Sequence, residues 1–377
     1  MSTLPGELVD AIIDWTNLES ASSLAVYALV SRQWLPRSRY YYFASISLTR
    51  DRSTDTVKTF LYLIASPLVT FISSIREVQL HHRSSYAIPV LSAGDVIALL
   101  SRSGIYPTRL TLDCHFTQFG IQKNERDSFT SITQLQLSFY GEVSLEKLFI
   151  YLAIFLSLES LSLGVHNAGS ALGWISLEPN KRPIELPPNL HELSVHQPTI
   201  LRCLTSIEFP LAQFTALILR SIRLFPEVNR YLTHDVISCS LVSLTLDNCI
   251  TDEVPDFDLS RLDALQHLHV RQHYMWTAVA VLETLASISR SPFPSGLQTI
   301  TLLIYGIESI DWQDMAPWRE LDAVLASSDS RIKWPQLHRF SVCGHNWRLP
   351  VDVPDVFSRA VRENMPSLVE RGMLGIE

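Results

Sequence analysis

Apolar residues recur in a fixed pattern along most of this chain. From residue 43 onward, eleven short motifs carry apolar residues at their first, fourth and sixth positions, and the motifs start 24 to 40 residues apart. Alternating apolar positions over a few residues predict a strand with one buried face. The motifs are Phe43-Ile46-Leu48, Ile75-Val78-Leu80, Pro107-Leu110-Leu112, Ile132-Leu135-Leu137, Leu158-Leu161-Leu163, Leu190-Leu193-Val195, Phe214-Leu217-Leu219, Leu241-Leu244-Leu246, Leu265-Leu268-Val270, Leu297-Ile300-Leu302 and Leu337-Phe340-Val342.

Most of these predicted strands are separated by one segment of helical character. A strand followed by a helix, repeated at this spacing, is typical of a leucine-rich-repeat solenoid. Residues 241–249 fit the strand motif of that repeat fully, including Cys249 at the ninth position. The sequence therefore predicts an α/β protein built as an irregular solenoid, with parallel strands on the concave face and helices outside. The predicted helical segments are Thr56–Ala65, Asp95–Ser101, Leu145–Leu156, Val228–Ile237, Ala278–Ile288 and Trp318–Leu325.

The first 43 residues have a different pattern and predict three short helices. Three short helices with apolar residues on their outer faces are too few to bury those faces against one another. Two interpretations remain open. The segment either docks a partner protein or caps the first repeat of the solenoid, which would otherwise expose its core. The domains predicted are thus residues 1–43, and residues 44–377 with a helical cap at about 350–377.

Composition narrows the class of protein. Hydrophobic residues make up 47% of the chain and charged residues 18%, which excludes a disordered chain. A net charge of −8 argues against general binding of nucleic acid. The five cysteines form no CxxC pair, a pattern that favours free thiols in a reducing compartment. No apolar run approaches the roughly 20 residues that span a bilayer. We expect no membrane association and an intracellular location, in the cytoplasm or nucleus.

The N-terminal segment resembles an F-box. The resemblance lies in Leu4-Pro5-x-Glu7-Leu8, in Ile12 and Leu24, and in residues 30–34, which read Val-Ser-Arg-Gln-Trp. The tail that follows Trp34, the repeats and the predicted C-terminal helix at residues 366–374 are similar to those of the large F-box families of fungi. One departure is Thr16, which stands where the family has a leucine at the end of its first helix.

This resemblance implies a specific role. F-box proteins dock onto the Skp-type adaptor of a cullin–RING (SCF-type) ubiquitin ligase, and their downstream domain holds the protein substrate. The expected partners are therefore the adaptor, a cullin through it, and an unknown protein substrate. The alternative is a protein-binding solenoid scaffold without a ligase function. The residues that the resemblance assigns to forming or supporting the adaptor-facing surface are Leu4, Pro5, Leu8, Ile12, Leu24, Val30 and Trp34.

Polar residues at the third, fifth and seventh positions of the motifs are expected on the solvent side of the strands. Adjacent parallel strands lie about 4.8 Å apart, so Arg220, Asp247 and Arg271 are predicted to be neighbours in one row. Two interpretations remain open: a mildly cationic patch that binds an acidic or phosphorylated substrate, or a neutral ladder in which Asp247 pairs with both arginines. The candidate substrate-binding residues are Arg220, Asp247, His267, His269, Arg271 and Arg339.

Catalytic and metal-binding motifs are missing from the sequence. It contains no G-x-S-x-G, no P-loop, no G-x-G-x-x-G and no H-E-x-x-H. The pairs Cys114-His115, His81-His82 and Cys343-x-His345 are too isolated to supply four zinc ligands. We therefore expect a protein that is not an enzyme and that carries no metal or cofactor.

Overall fold

The computed structural model describes the chain in two compact units. The first unit comprises Met1–Asn180 and Glu185–Leu190, and the second comprises Lys181–Ile184 and His191–Glu377. The residues described are 5–19, 23–50, 55–66, 69–82, 92–115, 128–140, 143–166, 175–176, 186–196, 200–201, 214–220, 228, 231–232, 234–247, 259, 261–273, 281–282, 284–286, 288, 295–305, 316–345 and 353–376.

The first unit begins with three helices and continues as alternating strands and helices. Five of its strands form a parallel sheet in chain order, β1-β2-β3-β4-β6, and β5 pairs separately with β7. The helices are α1 (Gly6–Glu19), α2 (Ser23–Val30), α3 (Leu35–Tyr42), α4 (Thr56–Ile64), α5 (Ala93–Arg102) and α6 (Leu145–Leu152), and a 3-10 turn lies at Ile72–Ser74. The strands are β1 (Ser45–Arg50), β2 (Glu77–His82), β3 (Arg109–His115), β4 (Gln134–Tyr140), β5 (Val143–Ser144), β6 (Ser160–His166) and β7 (Ile175–Ser176).

The second unit follows the same plan. Its strands also lie in chain order, from β8 to β14, and every pairing described is parallel. The helices described by their bounds are α7 (Asp235–Ser240), α8 (Ala316–Ala326), α9 (Ser328–Lys333), α10 (Val353–Asn364) and α11 (Pro366–Glu370). The strands are β8 (Glu192–Val195), β9 (Ala216–Arg220), β10 (Ser243–Asp247), β11 (His267–His273), β12 (Thr299–Tyr305), β13 (Arg339–His345) and β14 (Leu374–Ile376).

The buried faces of the strands are those that the apolar pattern predicts. The fourth and sixth positions of all eleven motifs are buried, and only Phe43 and Leu337 are partly exposed among the first positions. Equivalent positions pair across neighbouring strands, as Val78 does with Leu110. The predicted α/β class with parallel strands is therefore confirmed.

The main chain enters successive strands in one way. The carbonyl of Arg76 accepts hydrogen bonds from the N–H groups of both Thr108 and Arg109, at 2.9 and 3.0 Å. The same pair of hydrogen bonds to one carbonyl recurs at the start of other strands in each unit. Its acceptors are the carbonyls of Ala44, Arg76, Thr108, Thr133, His191, Thr215, Val242, Gln266 and Gln298. The same backbone contact is thus repeated at nine strand starts among the described residues.

Local sequence signals explain the helix starts. Ser92 and Asp95 form a reciprocal capping box at the start of α5, and Asp55 accepts a hydrogen bond from Lys58 N at the start of α4. Five of the predicted helical segments overlap α4 to α8, although α6 ends at Leu152 and not at Leu156. Among the described helices, none is long and apolar enough to cross a membrane.

The predicted helix at residues 366–374 is wrong in its second half. Helix α11 ends at Glu370, and Gly372 adopts a left-handed conformation with φ of +66°. The N–H of Met373 then donates to the carbonyl of Leu368, which closes the helix end in a Schellman arrangement. Because the chain reverses there, Leu374 begins β14, which pairs in parallel with β13.

Candidate functional site

The three N-terminal helices enclose a very small apolar core. Val9 and Ile13 of α1 and Leu24 of α2 are fully buried, and Trp34 and Tyr41 pack against them. The ring of Trp34 also stacks on that of Tyr27, with centroids 5.4 Å apart. Among the described residues of these helices, three aliphatic side chains are buried in this core, and polar contacts between the helices add to it.

An ion pair joins α1 to α3. Arg37 donates from Nε to Asp14 Oδ1 at 2.9 Å and from a terminal guanidinium nitrogen to Asp14 Oδ2 at 2.8 Å. The same terminal nitrogen donates to the hydroxyl of Tyr41 at 3.1 Å. The hydrogen bond from Arg37 lowers the pKa of Asp14 below its usual value, so the carboxylate stays charged.

Thr16 shows how the segment accommodates a polar residue at a buried position. Its side chain is buried in α1, at the position where the F-box resemblance predicts a leucine. The hydroxyl donates to the carbonyl of Ile12 at 2.8 Å, so the buried donor is satisfied within its own helix. The departure from the F-box pattern therefore leaves α1 intact.

Two apolar stripes remain exposed on these helices. On α1, the exposed residues Leu8, Ile12 and Trp15 are four and three residues apart and therefore share one face. On α2, Leu29 is 86% exposed and Val26 64%, and they share a face with Val30. Single exposed apolar residues are ordinary, but two stripes within one small segment are typical of an interaction surface.

The predicted adaptor-facing residues divide into two groups. Pro5, Leu8, Ile12 and Val30 are exposed, whereas Leu24 and Trp34 belong to the small core and support the helices from within. Leu4 lies outside the described residues. Sequence reasoning missed three further exposed apolar residues, which are Trp15, Val26 and Leu29. The spacing of Trp15 from Leu8 and Ile12 on α1 is a signal for that residue, whereas α2 is apolar almost all round and offers none.

The solvent side of the strands in the second unit carries the predicted charged row. Asp247 on β10 pairs in register with Arg220 on β9 and with Arg271 on β11, as predicted. Asp247 Oδ2 lies 3.8 Å from Arg220 Nε and 3.6 Å from a terminal nitrogen of Arg271. The aspartate therefore contacts both arginines, as the second interpretation of the sequence expected. One carboxylate between two guanidinium groups still leaves the row with one positive charge.

His269 lies in the row next to this one, and His267 lies in the row after that, on the same side. His267 Nδ1 is 2.9 Å from Thr299 Oγ1 on β12, and Ser243 is its partner on β10, as predicted. Burial lowers the pKa of His269, and the nearby His267 and Arg271 lower it further. His269 is therefore neutral near neutral pH, and the positive charge of this surface comes from the arginines.

Arg339 occupies a different row from the other two arginines. It pairs with Thr299, which itself pairs with His267, so it aligns with the histidine row. Its Nε donates to Ser341 Oγ at 2.9 Å on its own strand. Of the predicted substrate-binding arginines, the fold thus brings only Arg220 and Arg271 to one carboxylate.

Charged residues on the strands of the first unit are engaged with one another. Arg109 Nε donates to Gln134 Oε1 at 2.7 Å, and Arg109 also forms a 3.8 Å ion pair with Glu77. Further along the strands, Asp113 lies 3.3 Å from both His81 Nδ1 and the hydroxyl of Tyr140. The guanidinium group of Arg109 is thus already engaged by neighbouring side chains and is less available to a ligand than those of the row around Asp247.

Metal-ligating side chains do not converge in the part of the chain that the structure describes, where no three His, Cys, Asp or Glu residues are grouped. Cys114 is a buried free thiol, and Cys239 is both free and exposed. Cys203 and Cys249 lie outside the described residues.

Comparison with known proteins adds no assignment. The chain matches no family model and no curated protein.

Proposed function

We propose that this chain is the substrate-receptor subunit of a cullin–RING ubiquitin ligase of the SCF type. Its N-terminal helices dock a Skp-type adaptor, and its repeated strands bind a protein substrate. The observation that carries the proposal is the pair of apolar stripes on α1 and α2, the helices whose described residues Val9, Ile13 and Leu24 form one small buried cluster.

The exposed stripes explain why a partner is needed. Burying a Val or Leu side chain stabilises a complex by about 1.5–3 kcal/mol, and the stripes offer six apolar side chains. The cost of association takes up much of this gain, so only a partner that covers most of both stripes would bind stably. The F-box resemblance assigns that partner as the adaptor, because its motif residues Leu8, Ile12 and Val30 fall on the exposed stripes.

The fold proposed for the rest of the chain is an irregular leucine-rich-repeat solenoid, which serves as the substrate-binding domain. Three features support it. The strands are parallel and lie in chain order, and equivalent apolar positions are in register. At successive strand starts, one carbonyl accepts hydrogen bonds from two consecutive N–H groups. Stacked repeats present a long row of adjacent strands to a partner, which suits them to binding protein segments.

The mechanism proposed is proximity and involves no bond chemistry in this chain. A receptor that holds substrate and adaptor at once raises the effective concentration of substrate lysines near the ubiquitin-carrying enzyme. The rate of ubiquitin transfer then depends on one chain binding the adaptor and the substrate at the same time.

Co-purification with a Skp-type adaptor tests the proposal. The full chain is compared with a Leu8→Ser/Ile12→Ser/Val30→Ser variant, which alters only exposed positions and leaves the small core intact. Tyr62→Ser is the matched control, because Tyr62 is 86% exposed on α4, outside the proposed surface. We expect the adaptor to be retained by the full chain and the control and lost from the triple variant.

Two outcomes would contradict this proposal. If the intact, folded chain retains no adaptor, the three helices are a cap and the alternative of a scaffold without ligase function is favoured. If the triple variant retains the adaptor as well as the control does, adaptor binding uses another surface.

A further inference from the structure

Arg220 and Arg271 flank one carboxylate on three adjacent strands. Adjacent strands are about 4.8 Å apart, so the backbones of the two arginines are about 9.6 Å apart, with Asp247 between them. The side chain of Asp247 is only 17% exposed, against 35% and 41% for Arg220 and Arg271. The carboxylate is therefore the inner member of the row, and the guanidinium groups are its outer members.

Both guanidinium groups have N–H donors that are available to a ligand. Their contacts with Asp247 Oδ2, at 3.8 and 3.6 Å, are ion pairs that exceed hydrogen-bond length. Arg220 Nε is buried and has no hydrogen-bond partner among the residues that the structure describes. No described residue accepts a hydrogen bond from Arg271 either. A buried donor without a partner is costly, and an incoming acceptor would remove that cost.

The surroundings of the row favour an anion. Its two arginines and one aspartate sum to one positive charge, whereas the whole chain carries −8. The neighbour of Arg271 on β12 is Leu303, which offers no competing charge. The adjacent row contributes Thr245 and the neutral His269, so no second carboxylate lies among the partners in register on β10 and β11.

We infer that Arg220 and Arg271 bind an anionic side chain on the protein substrate, with Asp247 positioning both guanidinium groups. This inference rests on the proposed substrate-receptor function and names its substrate class. The ligand chemistry is a carboxylate or a phosphate group, because both accept paired hydrogen bonds from arginine. An extended segment that crosses the strands would bring one such group over the row.

Binding of peptide pools by the full chain tests this inference without the adaptor. Three pools share randomised flanks and carry a fixed central residue: phosphoserine, glutamate or serine. The chain is compared with Arg220→Gln/Arg271→Gln and with Arg109→Gln. Arg109 is the matched control, since it also lies on a strand face but already donates to Gln134. A doubly charge-preserving variant, Arg220→Lys/Arg271→Lys, replaces the Gln form if thermal unfolding shows that the latter does not fold.

The expected result is preferential binding of at least one anionic pool by the native chain and by Arg109→Gln. The Gln double variant should bind that pool at least about tenfold more weakly, a factor that corresponds to about 1.4 kcal/mol. The Lys variant should also bind it more weakly, because lysine lacks the paired donors. Preference for phosphoserine alone identifies a phosphorylated substrate, and preference for both pools identifies an acidic one.

Three results would overturn the inference: no preference for an anionic pool, a preference that survives in the double variant, or an equal loss in Arg109→Gln. Each can occur while the adaptor is still retained in co-purification. Failure of this inference is thus distinguishable from failure of the proposed ligase role.

Discussion

Arg37 on the third helix donates hydrogen bonds to both carboxylate oxygens of Asp14 on the first helix, at 2.9 and 2.8 Å. The same guanidinium group lies over the ring of Tyr41, 5.0 Å from its centroid, and donates to the hydroxyl of that residue. Arg37 thus joins α3 to α1 through Asp14 and also contacts Tyr41 on its own helix.

Asp14→Asn is expected to loosen the N-terminal helices. Both side chains are more than a third exposed, so the ion pair stabilises the segment by only about 0.5–1 kcal/mol. The pKa of Asp14 is lowered in the folded chain, so its contribution is present above the ordinary aspartate pKa and is lost as the pH falls through the folded value. Faster amide hydrogen exchange at residues 6–42 measures the loss.

Asp10→Asn is the control for that experiment, because it makes the same charge change on the exposed side of α1. Equal acceleration of exchange in the two variants would show that net charge, and not the contact with Arg37, stabilises the segment.

Leu24→Ala is expected to destabilise the three helices far more than Leu29→Ala. Leu24 is fully buried between Val9 and Ile13, and removing a buried leucine side chain costs about 2–5 kcal/mol. Leu29 is 86% exposed, so its truncation should leave hydrogen exchange unchanged and weaken only adaptor binding. Measuring exchange and adaptor retention on both variants separates folding from docking. A fold-neutral Leu24→Ala would mean that the three helices do not depend on their core.

The sequence was sufficient to predict the strands of the eleven apolar motifs but not the inner face of α2. The strands alternate with a period of two, so one apolar pattern determines both the buried face and the register, and Asp247 lies between Arg220 and Arg271 as expected. Helix α2 reads Ser-Leu-Ala-Val-Tyr-Ala-Leu-Val and is apolar almost all round. Its sequence therefore cannot show that Leu24 faces inward and Leu29 outward, because the packing of α1 and α3 decides it.

The C-terminus was mispredicted for a local reason. Leu374 continues the apolar spacing of the predicted helix, but Gly372 can adopt a positive φ at little cost and ends α11 first. The pair Arg371-Gly372 is a recognisable stop signal, so the error was avoidable. Strand β14 has only three half-buried residues, too few for a periodic pattern to identify.

Asp322→Ala is expected to release helix α11 from α8. The buried carboxylate accepts hydrogen bonds from the backbone N–H groups of Ser367 and Leu368, at 3.1 and 3.0 Å, in the first turn of α11. Hydrogen bonds to a charged group are worth about 1.5–3 kcal/mol, and their loss leaves two donors unsatisfied. Hydrogen exchange at residues 366–376 should accelerate strongly. Asp329→Ala on α9, where the residue is exposed, should leave that exchange unchanged; equal effects would refute this assignment of Asp322.

Alkylation is expected to discriminate between Cys239 and Cys114. Cys239 is exposed, whereas burial raises the pKa of the Cys114 thiol to about 12. The thiolate is the reactive form, so Cys114 should remain unmodified in the native chain and react after denaturation. Mass spectrometry of iodoacetamide-treated protein, before and after unfolding, measures both. Modification of Cys114 at the native rate of Cys239 would contradict its place in the core.

His269→Gln is expected to reduce the loss of stability at acidic pH. The pKa of His269 is lowered in the folded chain by burial, by His267 and by Arg271, so between the folded value and 6.5 the unfolded chain binds more protons. The contribution of His269 to the free energy of unfolding is therefore most favourable above 6.5 and declines as the pH falls toward the folded pKa. Its partners in register, Thr245 and Thr301, do not titrate in this range, and they provide no carboxylate to offset the effect.

The thermal unfolding midpoint, compared at about pH 7.5 and about pH 5.5, should fall less in His269→Gln than in the native chain. His234→Gln is the control, since His234 is exposed. If the midpoint of His269→Gln falls as far as that of the control, His269 does not set the acid limit of the second unit.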